Sequence, residues 1–372
     1  MKKQQSILNK TLNRALSLAR PHLSQTTSYF TYWLLENLPK ALRPDAWFDE
    51  CNNLHVDNRK GSASRSLFVA HVDTVHHKEG VNKIRKTKGM WYADGSQLGA
   101  DDGVGCALLM HMIHADVPGY YVFTQGEEKG GIGAKFLATQ YPMLLAEFDR
   151  AVAFDRRGVD SVITHQGWGR CCSDVFADEL ASQLNATPDQ MMYLADNTGV
   201  YTDTAEFTDI IPECTNLSCG YLHEHSDKEQ LDMIHFEQLA RAVLAIKWDA
   251  LPTERDPAVK EPEPSYMTDF SSWATSYRGG VVDAFDYGSA DNTLLSEDEY
   301  LYECILDAQQ GFMQGLIDLM AASVYPEDKP MARKFINRKK LTDETLQMAA
   351  GMVGHNDADT VLATLFDMAY AA

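Results

Sequence analysis

Four apolar stretches of this chain each run into a histidine or an acid. Ser66-Leu67-Phe68-Val69-Ala70 leads to His71, Tyr120-Tyr121-Val122-Phe123-Thr124 to Gln125-Gly126-Glu127-Glu128, Ala151-Val152-Ala153-Phe154 to Asp155, and Thr215-Asn216-Leu217-Ser218-Cys219-Gly220-Tyr221 toward His223 and His225. Short apolar runs without strict alternation read as strands buried on both faces. Strands are expected near 66–71, 120–125, 150–155, 161–165 and 215–219, with helices near 103–115, 131–140, 173–185 and 232–248. This alternation predicts an α/β fold, a three-layer sandwich with a mostly parallel central sheet. Open sheets of that kind gather binding groups at the carboxyl ends of their strands, so the polar residues are expected to converge along one edge.

Taken singly, each motif has an ordinary explanation. A histidine ending a strand is usually a core residue, Asp101-Asp102 in Gly99-Ala100-Asp101-Asp102-Gly103 could cap the helix after it, and Glu127-Glu128 could be a solvated loop. Together they supply two imidazoles and three further carboxylates, the donor types that bind zinc. Five such ligands suffice for two ions roughly 3.5–4 Å apart, one carboxylate bridging them. Adjacent acids at 101 and 102 would repel each other without a cation. Asp73 shares a strand face with His71 and could hydrogen-bond the ring nitrogen that does not bind metal.

As an ordered set, His71-Val72-Asp73-Thr74-Val75, Gly99-Ala100-Asp101-Asp102-Gly103, Gly126-Glu127-Glu128, Phe154-Asp155-Arg156-Arg157-Gly158 and His225-Ser226-Asp227-Lys228-Glu229 resemble the di-zinc exopeptidases, over roughly residues 40–250. That clan contains the M28 aminopeptidases, the M20 peptidases and deacylases, and the M42 aminopeptidases. The short interval from Asp155 to His225 leaves no room for the inserted domain of the M20 branch, so the chain looks like the lidless M28 type. Two departures stand out: a hairpin expected at 83–86 and 90–92, and the Asp155-Arg156-Arg157-Gly158 segment, which is closer to the M20 and M42 branches.

The resemblance implies two Zn²⁺ ions, with Co²⁺ or Mn²⁺ as alternatives. His71 and Asp155 would hold one ion, Glu128 and His225 the other, and Asp101 would bridge. Asp73 would orient His71, and Glu127 would be the general base. His223 competes with His225, but Ser226 and Glu229 fit the family's pattern C-terminal to the ligand. A cis peptide is implied between Asp101 and Asp102. The segment from Gly199 to Phe207 resembles one near the family's site, with Asp203 either a substrate-facing acid or a helix cap. Tyr201 and Tyr221 are further substrate-binding candidates, and Asp203, Glu206 and Glu224 are the acids available to meet a substrate ammonium group. The implied activity is metal-dependent hydrolysis of peptide bonds by an exopeptidase, an aminopeptidase first. The alternatives are an N-acyl amidohydrolase of the same clan and a non-catalytic binding protein on the same fold.

Composition narrows the partners. With 33 Lys and Arg against 53 Asp and Glu, the chain carries a formal charge of −20, which argues against nucleic acid. No apolar run reaches the roughly 18 residues of a membrane span, and the basic start Met1-Lys2-Lys3 does not lead into a signal-peptide core. Seven scattered cysteines without a CxxC pair point to thiols in a reducing compartment, hence the cytoplasm. The expected organisation is a basic helical arm at 1–43, a catalytic domain at 44–250, an acidic linker at 251–300 and a helical extension at 301–372. Leu8, Leu12, Ala15 and Leu16 form a packing stripe on the arm. The opposite charges of arm and tail suggest that they meet, with homo-oligomerisation through the terminal extensions and a peptide or small amide as substrate.

Overall fold

A computed structural model describes residues 2–259 apart from 88, 167, 168 and 190. The expected helical extension, and with it the docking of tail on arm, lies outside the described residues, as does the linker beyond 259.

The central sheet has eight strands, in the order Leu194–Asp196, Ser161–Ile163, Glu213–Ser218, Arg150–Arg156, Ser66–His71, Tyr120–Thr124, Leu54–Asp57 and Trp47–Phe48. The four in the middle, from Glu213–Ser218 to Tyr120–Thr124, are mutually parallel. Ser161–Ile163 joins antiparallel on one flank, and Leu54–Asp57 and Trp47–Phe48 do so on the other. The sheet is thus parallel where the ligand-type residues sit and mixed at its margins.

Alternation within single strands explains the layering. In Ser66–His71 every residue is buried, yet Leu67 and Val69 belong to one apolar cluster and Phe68 and Ala70 to the other. Helices Lys2–Leu16, Gln25–Asn37, Ala100–His114, Asp174–Asn185 and Met233–Ala242 cover the Phe68 side. Ile132–Gln140, through Ala134 and Leu137, covers the other. Each helix with a side-chain cap begins where the sequence supplies one: Ser24, Ser173 and Asp232 accept backbone N–H groups of the first turn, each typically worth about 1 kcal/mol. The helix that begins at Met233 stops at Ala242, short of the expected 248, and a 3-10 turn comes next at Trp248–Ala250.

The N-terminal stripe packs as expected: Leu8, Leu12, Ala15 and Leu16 are fully buried in the same cluster as the Ala100–His114 helix. The first residues after 250 are strapped under the sheet. Arg150 donates to the Leu251 carbonyl and to Thr253, and buried Glu213 accepts the amides of Glu254 and Arg255. A second sheet, in the order Tyr221–Leu222, Gln230–Asp232, Met90–Ala93 and Ile84–Lys86, is antiparallel. It joins the expected hairpin to the segment around His225. Among the described residues no helix is long and apolar enough to cross a membrane.

Candidate metal centre

His71, Glu127, Glu128, Asp155 and His225 sit at a strand end or on the connection just beyond it, and Asp101 sits at a helix start. His71 ends its strand, buried, with Nε2 3.0 Å from Asp101 Oδ1, 3.6 Å from Asp155 Oδ1 and 3.9 Å from Glu127 Oε2. Asp101 opens the Ala100–His114 helix after Gly99, whose φ of 73° only glycine adopts freely. The Asp101–Asp102 peptide is cis, as the resemblance implies. Asp101's second oxygen lies 3.1 Å from His225 Nε2, so one carboxylate stands between the two imidazoles. Glu128 Oε2 lies 3.2 Å from the same His225 nitrogen. His225, on the connection between the Tyr221–Leu222 and Gln230–Asp232 strands, is half exposed, with a side-chain exposure of 53%. His223 is exposed and takes no part in this cluster, its carbonyl accepting from Ser226.

The supporting contacts differ in part from expectation. His71 Nδ1 lies 3.1 Å from the backbone oxygen of Asp73 and 3.6 Å from its carboxylate. That carboxylate instead accepts the backbone amides of Gly126, Glu127 and Glu128, at 2.9, 3.2 and 3.2 Å. Asp73 therefore holds the loop that carries both glutamates. Asp102 turns inward and accepts the amides of His71 and Gly105. Asp155 is gripped on both oxygens, by Thr202 at 2.6 Å and by Tyr221 at 3.0 Å, so the Tyr221 hydroxyl, a substrate-binding candidate from sequence, is engaged by a ligand-type residue. Tyr201 donates to Glu206 at 2.8 Å over the turn at Gly131. Asp203 is buried and accepts from Thr124, with its Oδ1 unpartnered among the described residues; it makes no side-chain cap.

Three contacts had no local signal in the sequence because both partners are far apart in the chain. Glu229 accepts the amides of Gly99, Ala100 and Asp101 at 2.9, 2.8 and 3.1 Å and so fixes the turn before the helix. Asn216 pairs with the backbone of Asp155 through both amide atoms. Thr202 is the third.

The crowding of acids leaves its mark on proton affinity. Burial pushes Glu127 well up, with Asp155, Asp203 and Glu128 adding to it. Burial and Asp101 bring Glu128 up to about 7, and burial does the same for Asp203. Hydrogen bonds donated to Asp101 and Glu128 raise His225 to about 11. Burial opposes the ionisation of Asp101, but hydrogen bonds from His225 and His71 outweigh it and hold its carboxyl well below the usual range. Without cations, then, the cluster carries its charge only by taking protons. Glu128 Oε1 is moreover buried with no partner among the described residues, which a bound cation would satisfy. Three groupings bring one donor atom per residue within 4.8 Å of one another: His71, Glu127 and Glu128; His71, Asp102 and Asp155; Asp101, Glu128 and His225. This donor set suits divalent metal.

Among solved structures, the TET1 peptidase of Pyrococcus horikoshii, described as assembling into a tetrahedron or a large octahedral shell, has 18% identity and a TM-score of 0.50, covering 64% of this chain and 98% of its own. Aminopeptidase APDkam598 from the archaeon Desulfurococcus kamchatkensis has 15% identity and a TM-score of 0.50, covering 67% and 96%. These likenesses bear on the fold. No curated protein matches the sequence. The model of peptidase family M28 matches residues 53–246, more than half of the chain, and the match contains His71, Asp101, Glu127, Glu128, Asp155 and His225. The chain belongs to peptidase family M28 and is a hydrolase of the peptidase class.

Proposed function

We propose that this protein is a co-catalytic exopeptidase with two zinc ions, acting as an aminopeptidase. The observation that carries the reading is Asp101, whose two oxygens face His71 at 3.0 Å and His225 at 3.1 Å. Asp155 lies beside the first imidazole and Glu128 beside the second. In this reading His71 and Asp155 would hold one ion and Glu128 and His225 the other, with Asp101 shared between them. Such a pair supplies Lewis acidity, acidifying a water and polarising the amide carbonyl.

Glu127 accepts the proton of the attacking water and hands it to the leaving amine nitrogen. Its burial among acids favours the protonated form, and neighbouring cations oppose that tendency, which keeps the carboxyl able both to take and to give a proton near neutrality. Asp73 orients it by gripping the amides of residues 126–128. Tyr221 and Thr202 fix Asp155, and Tyr201 covers the glutamate turn. For the free amino end of a peptide, Asp203 and Glu224 each offer a buried carboxylate oxygen without a partner among the described residues. The reading includes a cytoplasmic location, with the six described cysteines free, and assembly of several copies.

The test is metal analysis paired with a panel of aminoacyl and N-acyl substrates, with and without chelator. Two metals per chain, turnover of substrates with a free amino end, loss with chelator and recovery with zinc are expected. Turnover of N-acyl substrates alone would assign the protein to the deacylases instead. A folded protein that binds no divalent metal would refute the two-ion centre.

A further inference from the structure

Arg20 belongs to the N-terminal segment, outside the 53–246 family match, and is fully buried. Among the described residues its guanidinium donates to carbonyl oxygens. Nε donates to Val72 at 2.7 Å, Nη1 to Ala15 and to Leu18, and Nη2 to Gly99 at 3.5 Å. One face of the group lies 4.7 Å from the centroid of Phe30. Val72 stands between His71 and Asp73, and Gly99 opens the turn into Asp101. One planar cation thus ties the strand end carrying the first imidazole to the helix start carrying the bridging acid. The backbone repeats the tie: the Arg20 amide donates to Thr74 Oγ1 at 3.1 Å, and the Thr74 amide to the Arg20 carbonyl at 2.8 Å.

Charge adds to geometry. Burial lowers the proton affinity of the guanidinium, while the acids Asp73, Asp102 and Glu229 stand near enough to counter it. The three acids in that group grip, respectively, the amides of 126–128, of His71 and Gly105, and of 99–101. They are buried beside it, and a buried guanidinium needs acidic neighbours to offset its lost hydration. Packing agrees as well. A Cβ on Gly103 would lie 3.0 Å from Ala15 Cβ and 3.4 Å from Arg20 Nη2, so the second glycine of the Gly99–Gly103 motif leaves room for the arm.

We infer that Arg20 is a positioning residue of the metal centre, and that the N-terminal segment is a working part of the catalytic unit. This rests on the two-metal reading above. Lysine is a poor substitute, because a point charge on a flexible stem cannot reproduce the rigid fork.

The experiment compares Arg20→Met, Arg20→Lys and Leu12→Ala in the full chain, the last opening a cavity in the same arm without touching the guanidinium. Zinc affinity is read by chelator competition, and amide hydrogen exchange at 72–74 and 99–101 is read in metal-free protein. Arg20→Met should weaken zinc binding roughly 10–100-fold, the usual scale for groups that orient ligands, and Arg20→Lys should do so less. In both variants exchange at those amides should rise by about tenfold or more relative to the rest of the core. Leu12→Ala should lower the melting temperature but change neither local readout. Should Arg20→Met fail to fold, Arg20→Lys carries the comparison. Wild-type zinc affinity and exchange in the Arg20 variants, or equal losses in Leu12→Ala, would overturn the inference. A wild-type protein that binds no zinc defeats the two-metal reading instead, and the exchange data still judge Arg20.

Discussion

At Asp73 and Glu127, two carboxylates on neighbouring connections have different work. Asp73 is buried and accepts three backbone amides, whereas Glu127 accepts no backbone donor among the described residues and lies 3.9 Å from the nearest imidazole nitrogen. Glu127→Ala is expected to retain both metals and to lose roughly 10²–10⁴ in kcat, the range of a general base; substantial turnover in a fully metallated variant would reassign the base. Asp73→Asn removes the charge and turns an amide donor toward backbone N–H groups. Leaving buried groups unsatisfied costs about 1–3 kcal/mol, so kcat/KM should fall roughly 10–100-fold through displacement of the glutamate loop. Steady-state kinetics at saturating zinc checks this, and unchanged kcat/KM would mean that the loop holds itself.

Among the elements, the small antiparallel sheet has the clearest consequence for the site. Gln230, Leu231 and Asp232 pair with Tyr92, Trp91 and Met90, so the hairpin at 84–93 braces the loop bearing His225, the most exposed ligand candidate. Leu231 is fully buried there. Leu231→Ala should destabilise by about 2–5 kcal/mol, as core truncations do, and should weaken the ion held by Glu128 and His225 more than the other. Zinc titration would then resolve one tight and one weak site per chain. Two sites weakened to the same degree would show that this ribbon does not govern His225.

For the whole molecule, the acids of the centre make stability depend on pH with a definite sign. In metal-free protein Glu128, Asp203 and Glu229 bind protons up to about 7, by burial first in each case, and His225 does so up to about 11. Every one of these values is above that of the unfolded chain, so the folded state holds more protons and stability falls as pH rises through the interval. Half-exposed His225 contributes less than its large rise suggests, because solvent screens its ion pairs. The melting temperature in chelator should therefore decline from pH 5 to pH 9, while the increment on adding zinc should grow over the same range, since metal competes with those protons. A chelated protein that gains stability toward pH 9 would contradict this account of the cluster.

The strands, their alternation with helices and the ligand-type residues that follow them were legible in the sequence because each is local: a short apolar run and the polar residue that stops it lie side by side in the chain. The antiparallel flanks of the sheet, the docking of residues 251–255 under it, and the grip of Glu229, Thr202, Asn216 and Arg20 on the centre were decided only by the tertiary structure. In each, a donor meets an acceptor tens of residues away. Sequence by itself determined which chemistry is present and at which strand ends. Folding decided which buried groups satisfy one another, because a hydrogen bond that excludes water is chosen by proximity in space and not along the chain.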